Sequence, residues 1–267
     1  MKILFIVDYY YPYIGGSEVL HQKLAEHLAQ KHQVTVLTQS LSKQKEVENI
    51  GGVEVVRFPV WHRFTFPWQA KKVALTLAKN SDYIYASTYS SGFLGAWLKR
   101  KLSKPVTFLV HGYLREAWYK IGLPRLIAWG CYRYEELLFR KKFDQYVVPS
   151  QFTYNKLLQL DIDREKIAVI AHGIDTALFH PMGRNDELRT KLGFSPTEKI
   201  FLFSGRPSRM KGIEYLLEAA KKQRGPFRLV LMLAHQPYDE YARVIKFIGD
   251  NKLSELVVVI EPVSHQE

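Results

Sequence analysis

Residues 204–220, SGRPSRMKGIEYLLEAA, decide how the rest of the chain is read. An apolar run, Ile200, Phe201, Leu202 and Phe203, leads into them, and Ile213, Leu216, Leu217 and Ala220 recur at the spacing of one buried helix face. Strand, glycine-marked turn and helix in that order leave the first helical N–H groups unpaired, where an anion can sit. Arg206 and Lys211 add positive charge at that mouth. A guanidinium clamps two phosphate oxygens and an ammonium acts as a mobile point charge, so together they suit a diphosphate. Solvated charges beside an ordinary turn would read the same way, and the diphosphate reading therefore needs a matching half-site elsewhere.

The other end of the chain offers one. KILFIV, residues 2–7, is a continuous apolar run of strand length, suited to a central parallel strand covered on both faces. After the loop DYYYPYIGGSE, Leu20, Leu24 and Leu28 step along a helix towards His32, with Ser17 as its N-cap. Val34 to Thr38 closes a βαβ unit. Gly15 and Gly16, just ahead of the helix, would let a ligand lie against bare backbone at its positive end; the alternative is a turn that needs positive φ. The loop is not a G-x-G-x-x-G fingerprint, and its bulky Tyr9, Tyr10, Tyr11 and Tyr13 argue against a dinucleotide.

Further strand candidates follow at 53–58, 83–86, 106–110, 145–148 and 167–170, with helical segments at 70–79 and 91–101 between them. Such alternation predicts a doubly wound α/β domain whose ligands bind beyond the carboxyl ends of its strands. His111, in FLVHGY, occupies such a position, either to hydrogen-bond a sugar hydroxyl and stabilise charge near a leaving group or to cap a helix or meet a carbonyl. Asp8 follows the first strand in the same way, and there a loop or helix cap is the preferred reading. A boundary near residue 180 divides the chain into domains 1–180 and 181–267. The second runs through strands at 200–203, 228–233 and 256–260 and a helix at 238–251, three strands making half of such a domain.

Composition sets outer limits. The 267 residues, 47% hydrophobic and 13% aromatic, suit a folded protein with buried cores, and the net charge of +12 predicts an anionic partner. Between Lys99 and Lys142 eleven Lys or Arg face three Glu, interleaved with Trp118, Tyr119, Trp129, Tyr132, Tyr134 and Phe139. That stretch suits an anionic membrane surface, or simply the solvated faces of core helices. WHRFTFPWQAKK, residues 61–72, reads as a second contact, an acceptor-side loop or core. Nucleic acid has no recognition motif to support it. The single cysteine, Cys131, excludes an internal disulfide, and neither a signal peptide nor an apolar run of membrane-spanning length is evident, so a cytoplasmic chain is expected. The nine histidines form no metal-ligand motif.

With these residues in view, the chain resembles the retaining glycosyltransferases of family 4, of the GT-B type with two facing Rossmann-like domains. The resemblance rests on KILFIVDYYYPYIGGSEVLHQKLAEHLAQKHQVTVLT, the FLVHGY histidine, AHGIDTALFHP at the hinge and FSGRPSRMKGIEYLLEAA, in that order. It implies an enzyme that moves a sugar from a UDP or GDP sugar to an acceptor hydroxyl with retention, without metal or other cofactor, on a sugar or lipid-linked acceptor at the inner membrane face. By position, Gly15 and Gly16 would approach donor diphosphate and acceptor, His111 the transferring sugar, Arg206 with Lys211 the diphosphate, and Val263 the base. Family members carry Pro-Asn where Ala171 and His172 stand here, and a Glu-x7-Glu pair expected beyond Glu267 is missing. A truncated member is therefore expected, with a catalytically incompetent nucleotide-binding or membrane-peripheral remnant as the alternative function.

Overall fold

The computed structural model describes residues 1–13, 15–40, 44–87, 89–223, 225–235 and 238–263. Two compact units divide the chain, Met1–Gly173 and Ile174–Glu267. The division falls ahead of the boundary expected near 180, because the last strand of the first unit ends at Val169 and no regular element follows before Asp186.

In the first unit, β1 (Lys2–Ile6), β2 (Gln33–Gln39), β3 (Val47–Ile50), β4 (Val53–Phe58), β5 (Tyr83–Ser87), β6 (Val106–Leu109), β7 (Gln145–Val148) and β8 (Ile167–Val169) form one sheet. Its order is β3-β4-β2-β1-β5-β6-β7-β8, parallel throughout except where β3 meets β4. The apolar run 2–7 is continuous because both faces of β1 are covered. Ile3, Phe5 and Val7 enter the core under α1 (Gly16–Ala29), while Leu4 and Ile6 enter the core on the other face. That second core is roofed by α2 (Phe66–Gln69), α3 (Lys71–Lys79), α4 (Tyr89–Leu102), α5 (Arg125–Phe139) and α6 (Gln151–Leu157). Each fully buried Leu or Ile there contributes roughly 1.5–3 kcal/mol of transfer free energy.

Two expectations for this unit are corrected. Ser17 is not the N-cap of α1: Gly15 is, with no side-chain cap bond, and Ser17 lies inside the first turn. The helix also stops at Ala29 rather than running to His32. The sequence reading missed β3, whose VENI carries little apolar pattern because it is an edge strand with exposed and half-buried side chains. What marks it is the turn, since Gly51 and Gly52 both adopt left-handed φ values, 58° and 84°, as a two-residue hairpin link requires.

The second unit contains α7 (Asp186–Lys191), β9 (Lys199–Gly205), α8 (Ile213–Lys222), β10 (Phe227–Leu233), α9 (Tyr238–Asp250) and β11 (Val257–Ile260). Its strands form a parallel sheet in the order β11-β10-β9. Ile213, Leu217 and Ala220 of α8 pack with Val244 and Ile248 of α9 against Leu229, Leu231, Leu233 and Val257. Of the face predicted from 213, 216, 217 and 220, three residues are buried and Leu216 is partly buried at its margin. The helix itself starts later than Lys211: a single 3-10 turn, Arg209–Lys211, precedes it, and Gly212 at φ 74° is its N-cap. Among the described residues no helix is long and apolar enough to cross a membrane.

Candidate functional site

Parallel strands place whatever follows them at one edge of the sheet, and in the first unit that edge gathers Asp8 after β1, Ser87 at the end of β5 and His111 after β6. The N-terminus of α1 opens onto the loop that leaves β1. Gly15 is extended (φ −158°) and neither it nor Gly16 is left-handed, so the positive-φ alternative does not hold. A Cβ built on Gly16 would meet nothing within 4 Å, and one on Gly15 would clash with the flexible Glu18 carboxylate and touch the Tyr13 ring at 3.8 Å. Neither strain nor crowding demands glycine at 16, where the backbone stands open beside the first turn of α1, while the Glu18 carboxylate folds back against Gly15.

Among the described residues His111 neither caps a helix nor meets a carbonyl. Its Nε2 lies 3.2 Å from the Ser87 hydroxyl, and its ring sits between those of His21 and His172, at centroid distances of 5.5 and 5.7 Å. Burial, helped by His172, pushes the His111 imidazole down to about 4. Burial also pushes His21 down to about 3, with smaller contributions from His111 and His172. Both rings are therefore neutral near pH 7. Nε2 is thus engaged by Ser87, and Nδ1 has no hydrogen bond among the described residues.

Asp8 behaves as the preferred reading had it. It is 2% exposed, its Oδ1 accepts from the backbone N–H and the hydroxyl of Ser91 (3.0 and 2.7 Å) in the first turn of α4, and Arg63 stands 3.6 Å from Oδ2. Arg63 also lies over the ring of Tyr9, which stacks on Tyr13.

Beyond Arg63 opens a cleft of about 540 Å³, lined by Phe64, Trp68, Trp118, Ile127, Cys131 and Tyr134 among others. One carboxylate builds its wall. Glu135, on α5 and buried, accepts from Tyr89 Oη (3.0 Å), the backbone N–H groups of Leu114 (3.0 Å) and Arg115 (2.7 Å), and Trp118 Nε1 (3.2 Å). Burial first and Glu135 second push the Tyr89 phenol far up, so it stays an O–H donor. The stretch 61–72 proves to be both core and surface: Phe66 and Pro67 are buried, whereas Trp61 is 92% and Trp68 58% exposed.

The basic charges of 99–142 divide as well. Lys99 pairs with Asp144 (2.7 Å), Arg133 and Arg140 with Glu136, Lys142 with Asp161 (2.9 Å), and Lys104 binds the carbonyls of Ala78 and Lys79 (2.7 Å each). Arg100, Lys101, Lys120, Arg125 and Lys141 have no ion pair among the described residues.

In the second unit the carboxyl edge collects Arg206 after β9, His235 after β10 and Val263 after β11. Arg206 and Lys211 are exposed and neither has an ion-pair partner among the described residues. Their neighbours differ: Arg209 and Arg243 are both tied to Glu214, at 3.4 and 3.1 Å. Val263 is half exposed at this edge.

Several residues of these edges escaped the sequence reading: His21, Ser87, Arg63 and Glu135 in the first unit, His235 with Glu261 (2.6 Å) in the second. His172 was noticed only as part of the connector. Ser87 and Glu261 each end or follow a predicted strand, so the carboxyl-end rule could have found them. His21 and Glu135 sit mid-helix, each beside another polar residue, Gln22 and Glu136, and no one-dimensional signal separates them from surface positions.

The family model of Glycosyltransferase Family 4 matches residues 14–178, more than half of the chain. A curated relative, an alpha-monoglucosyldiacylglycerol synthase of Streptococcus pneumoniae, is 29% identical over 232 residues, 82% of this chain and 52% of the relative. An uncharacterized glycosyltransferase of Methanocaldococcus jannaschii is 29% identical over 235 residues, 83% of this chain and 60% of the relative. The chain thus spans little more than half the length of these relatives. Among solved structures, sucrose-phosphate synthase from Thermosynechococcus elongatus aligns with a TM-score of 0.79 and 19% identity, over 100% of this chain and 72% of the other. HepE of Anabaena, solved with UDP-glucose, gives 0.77 and 18% over 99% and 70%. At those identities the likeness establishes the α/β, GT-B type of fold. The match across 14–178 establishes more: the chain belongs to Glycosyltransferase Family 4.

Proposed function

We propose that this protein is a nucleotide-sugar-dependent glycosyltransferase that moves a sugar from a UDP or GDP sugar to an acceptor hydroxyl with retention. One observation carries the reading: Arg206 and Lys211 stand exposed at the carboxyl edge of the second unit's sheet without an ion-pair partner among the described residues, while nearby Arg209 and Arg243 are both paired with Glu214. In this reading they bind the donor diphosphate and neutralise the charge that builds on it as the glycosidic bond breaks, a role that strengthens as water leaves. Two fixed cations suffice for that role without a metal or another cofactor. Val263 contacts the base. The uncovered N–H groups at Gly15 and Gly16 meet donor and acceptor, and neutral His111 offers Nδ1 to a hydroxyl of the transferring sugar.

A UDP-type donor is supported by HepE of Anabaena, solved with UDP-glucose and with UDP. A lipid-linked acceptor held at an anionic, inner membrane face is supported by the apolar cleft beyond Arg63 and by the name of the Streptococcus pneumoniae relative, that of a synthase of a glucosylated diacylglycerol. Calorimetric titration of UDP and GDP tests the donor site. Arg206→Ala and Lys211→Ala should each weaken binding by ~1.5–3 kcal/mol, the value of a hydrogen bond to a charged group. Unchanged nucleotide affinity in both variants would refute the assignment, and an NMR reading of the anomeric configuration of the product tests retention.

A further inference from the structure

Beside the apolar cleft lies a smaller hollow that shares Trp68 with it. Three cations from three separate segments converge on this hollow: Lys71 at the start of α3, Arg100 near the end of α4, and Lys141 just past α5. Trp68, Trp97 and Phe93 supply apolar wall, and no carboxylate lines it among the described residues. Lys71 lies over the Trp97 ring, 5.4 Å from its centroid, which holds its ammonium at the wall without neutralising it. None of the three cations has an ion pair among the described residues, whereas Lys99 and Lys142, adjacent in sequence to Arg100 and Lys141, are both paired. The chain therefore neutralises the flanking charges and leaves these three open.

Three unpaired cations around a space of about 150 Å³ select an anion. Two tryptophans at the rim, one of them 58% exposed and shared with a large apolar cleft, select an anion joined to an apolar body. We propose that this hollow seats the headgroup phosphate of an acidic phospholipid in a bilayer, its glycerol and first methylenes against Trp68 and Trp97, and that it anchors the first unit to an anionic membrane. The inference deepens the membrane part of the reading above and rests on that part alone. It locates the anchoring charge at Lys71, Arg100 and Lys141 rather than along the whole 99–142 stretch.

The test uses the full chain with phosphatidylcholine vesicles, plain or with about one third phosphatidylglycerol, at low salt. The triple variant Lys71→Gln, Arg100→Gln, Lys141→Gln is expected to lose ~100-fold in partitioning onto the acidic vesicles. A control triple of equal charge loss, Lys101→Gln, Lys120→Gln, Arg125→Gln, should lose less than about a tenth as much. Should the first triple misfold, Arg100→Gln alone, at an exposed side chain, is expected to lose ~5-fold. Equal losses in both triples would show diffuse attraction and overturn the site, as would wild-type chain that ignores acidic vesicles. Release from the vesicles by low millimolar inorganic phosphate would show a pocket for a free anion and overturn the lipid. UDP titration of the same triple separates the two readings, because nucleotide affinity stays at the wild-type value if only the anchor has gone.

Discussion

Glu135→Ala is the perturbation that tests most directly how the first unit builds its cleft. Four donors converge on this one carboxylate: the Tyr89 hydroxyl, the indole N–H of Trp118 and the backbone N–H groups of Leu114 and Arg115. The last of these is held in the left-handed region, φ 47°, a conformation that costs a residue with a Cβ roughly 1–2 kcal/mol. Deleting the carboxylate removes four bonds and leaves four donors, some of which water can reach. A net hydrogen bond to a charged group is worth roughly 1.5–3 kcal/mol, and breaking a buried polar cluster from one side costs roughly 3–5 kcal/mol. With partial rehydration the expected loss is about 4 kcal/mol, which for a unit of this size lowers the melting temperature by about 10 °C. Amide hydrogen exchange gives the local reading, since protection at Leu114 and Arg115 should fall by ~100-fold or more. Glu136→Ala is the control: its pairs with Arg133 and Arg140 are on the surface, and their loss should cost under about 1 kcal/mol. If the two alanine variants melt together and the Leu114 and Arg115 amides stay protected in both, Glu135 does not organise the cleft.

The buried histidines make stability depend on pH. Because His21 and His111 are held below the unfolded value of 6.5, the unfolded chain binds more protons, and stability present above pH 6.5 drains away as pH falls towards about 4. Denaturant melts should show a loss of roughly 3 kcal/mol between about pH 6.5 and 5 from the two groups, and His21→Leu should remove close to half of that slope; an unaltered slope in the variant contradicts the assignment. Gly16→Ala separates function from fold: with open space around the added Cβ the helix should keep or gain up to ~1 kcal/mol, while sugar transfer falls ~10-fold as the methyl covers the N–H groups. Full transfer activity in Gly16→Ala would mean that the glycine serves the turn alone.

The parts of the fold that were legible in the sequence are those with buried, periodic apolar residues. β1 could be placed because a strand covered on both faces has no polar side to interrupt it, and β4 and β7 because their buried residues alternate with less buried ones. β3 was missed for the converse reason, and α7 because six residues, DELRTK, carry almost no apolar pattern. The glycines, His111 and the two cations were singled out by their position relative to strands and helices, which sequence order fixes, and the structure places them at those strand and helix ends. The contrast between Glu135 and Glu136 marks where that method ends. They are adjacent, of one residue type and on one helix, yet a rotation of 100° per residue turns one into the core and the other to solvent. Which of the two is buried depends on the segment 114–118 folding back over α5, a contact between distant stretches that no local pattern encodes.

The same physics accounts for why the polar residues of the first unit sit where they do. In the inner strands of a parallel sheet covered on both faces, polar side chains gather at the strand ends, while the outer β4 carries Glu54 exposed in mid-strand. Asp8, Ser87 and His111 occupy those ends, and each is engaged by a neighbour: Asp8 by Ser91, Ser87 and His111 by one another. His21 is one exception, a buried imidazole whose Nε2 finds no hydrogen-bond partner among the described residues, as the Tyr10 and Tyr85 hydroxyls do not either. An unsatisfied buried nitrogen costs roughly 1–3 kcal/mol, which α1 could avoid with a leucine at that position. Retaining the imidazole beside His111 keeps that ring's neighbour uncharged well below pH 6.5, so that no positive charge arises between the two packed rings near neutral pH.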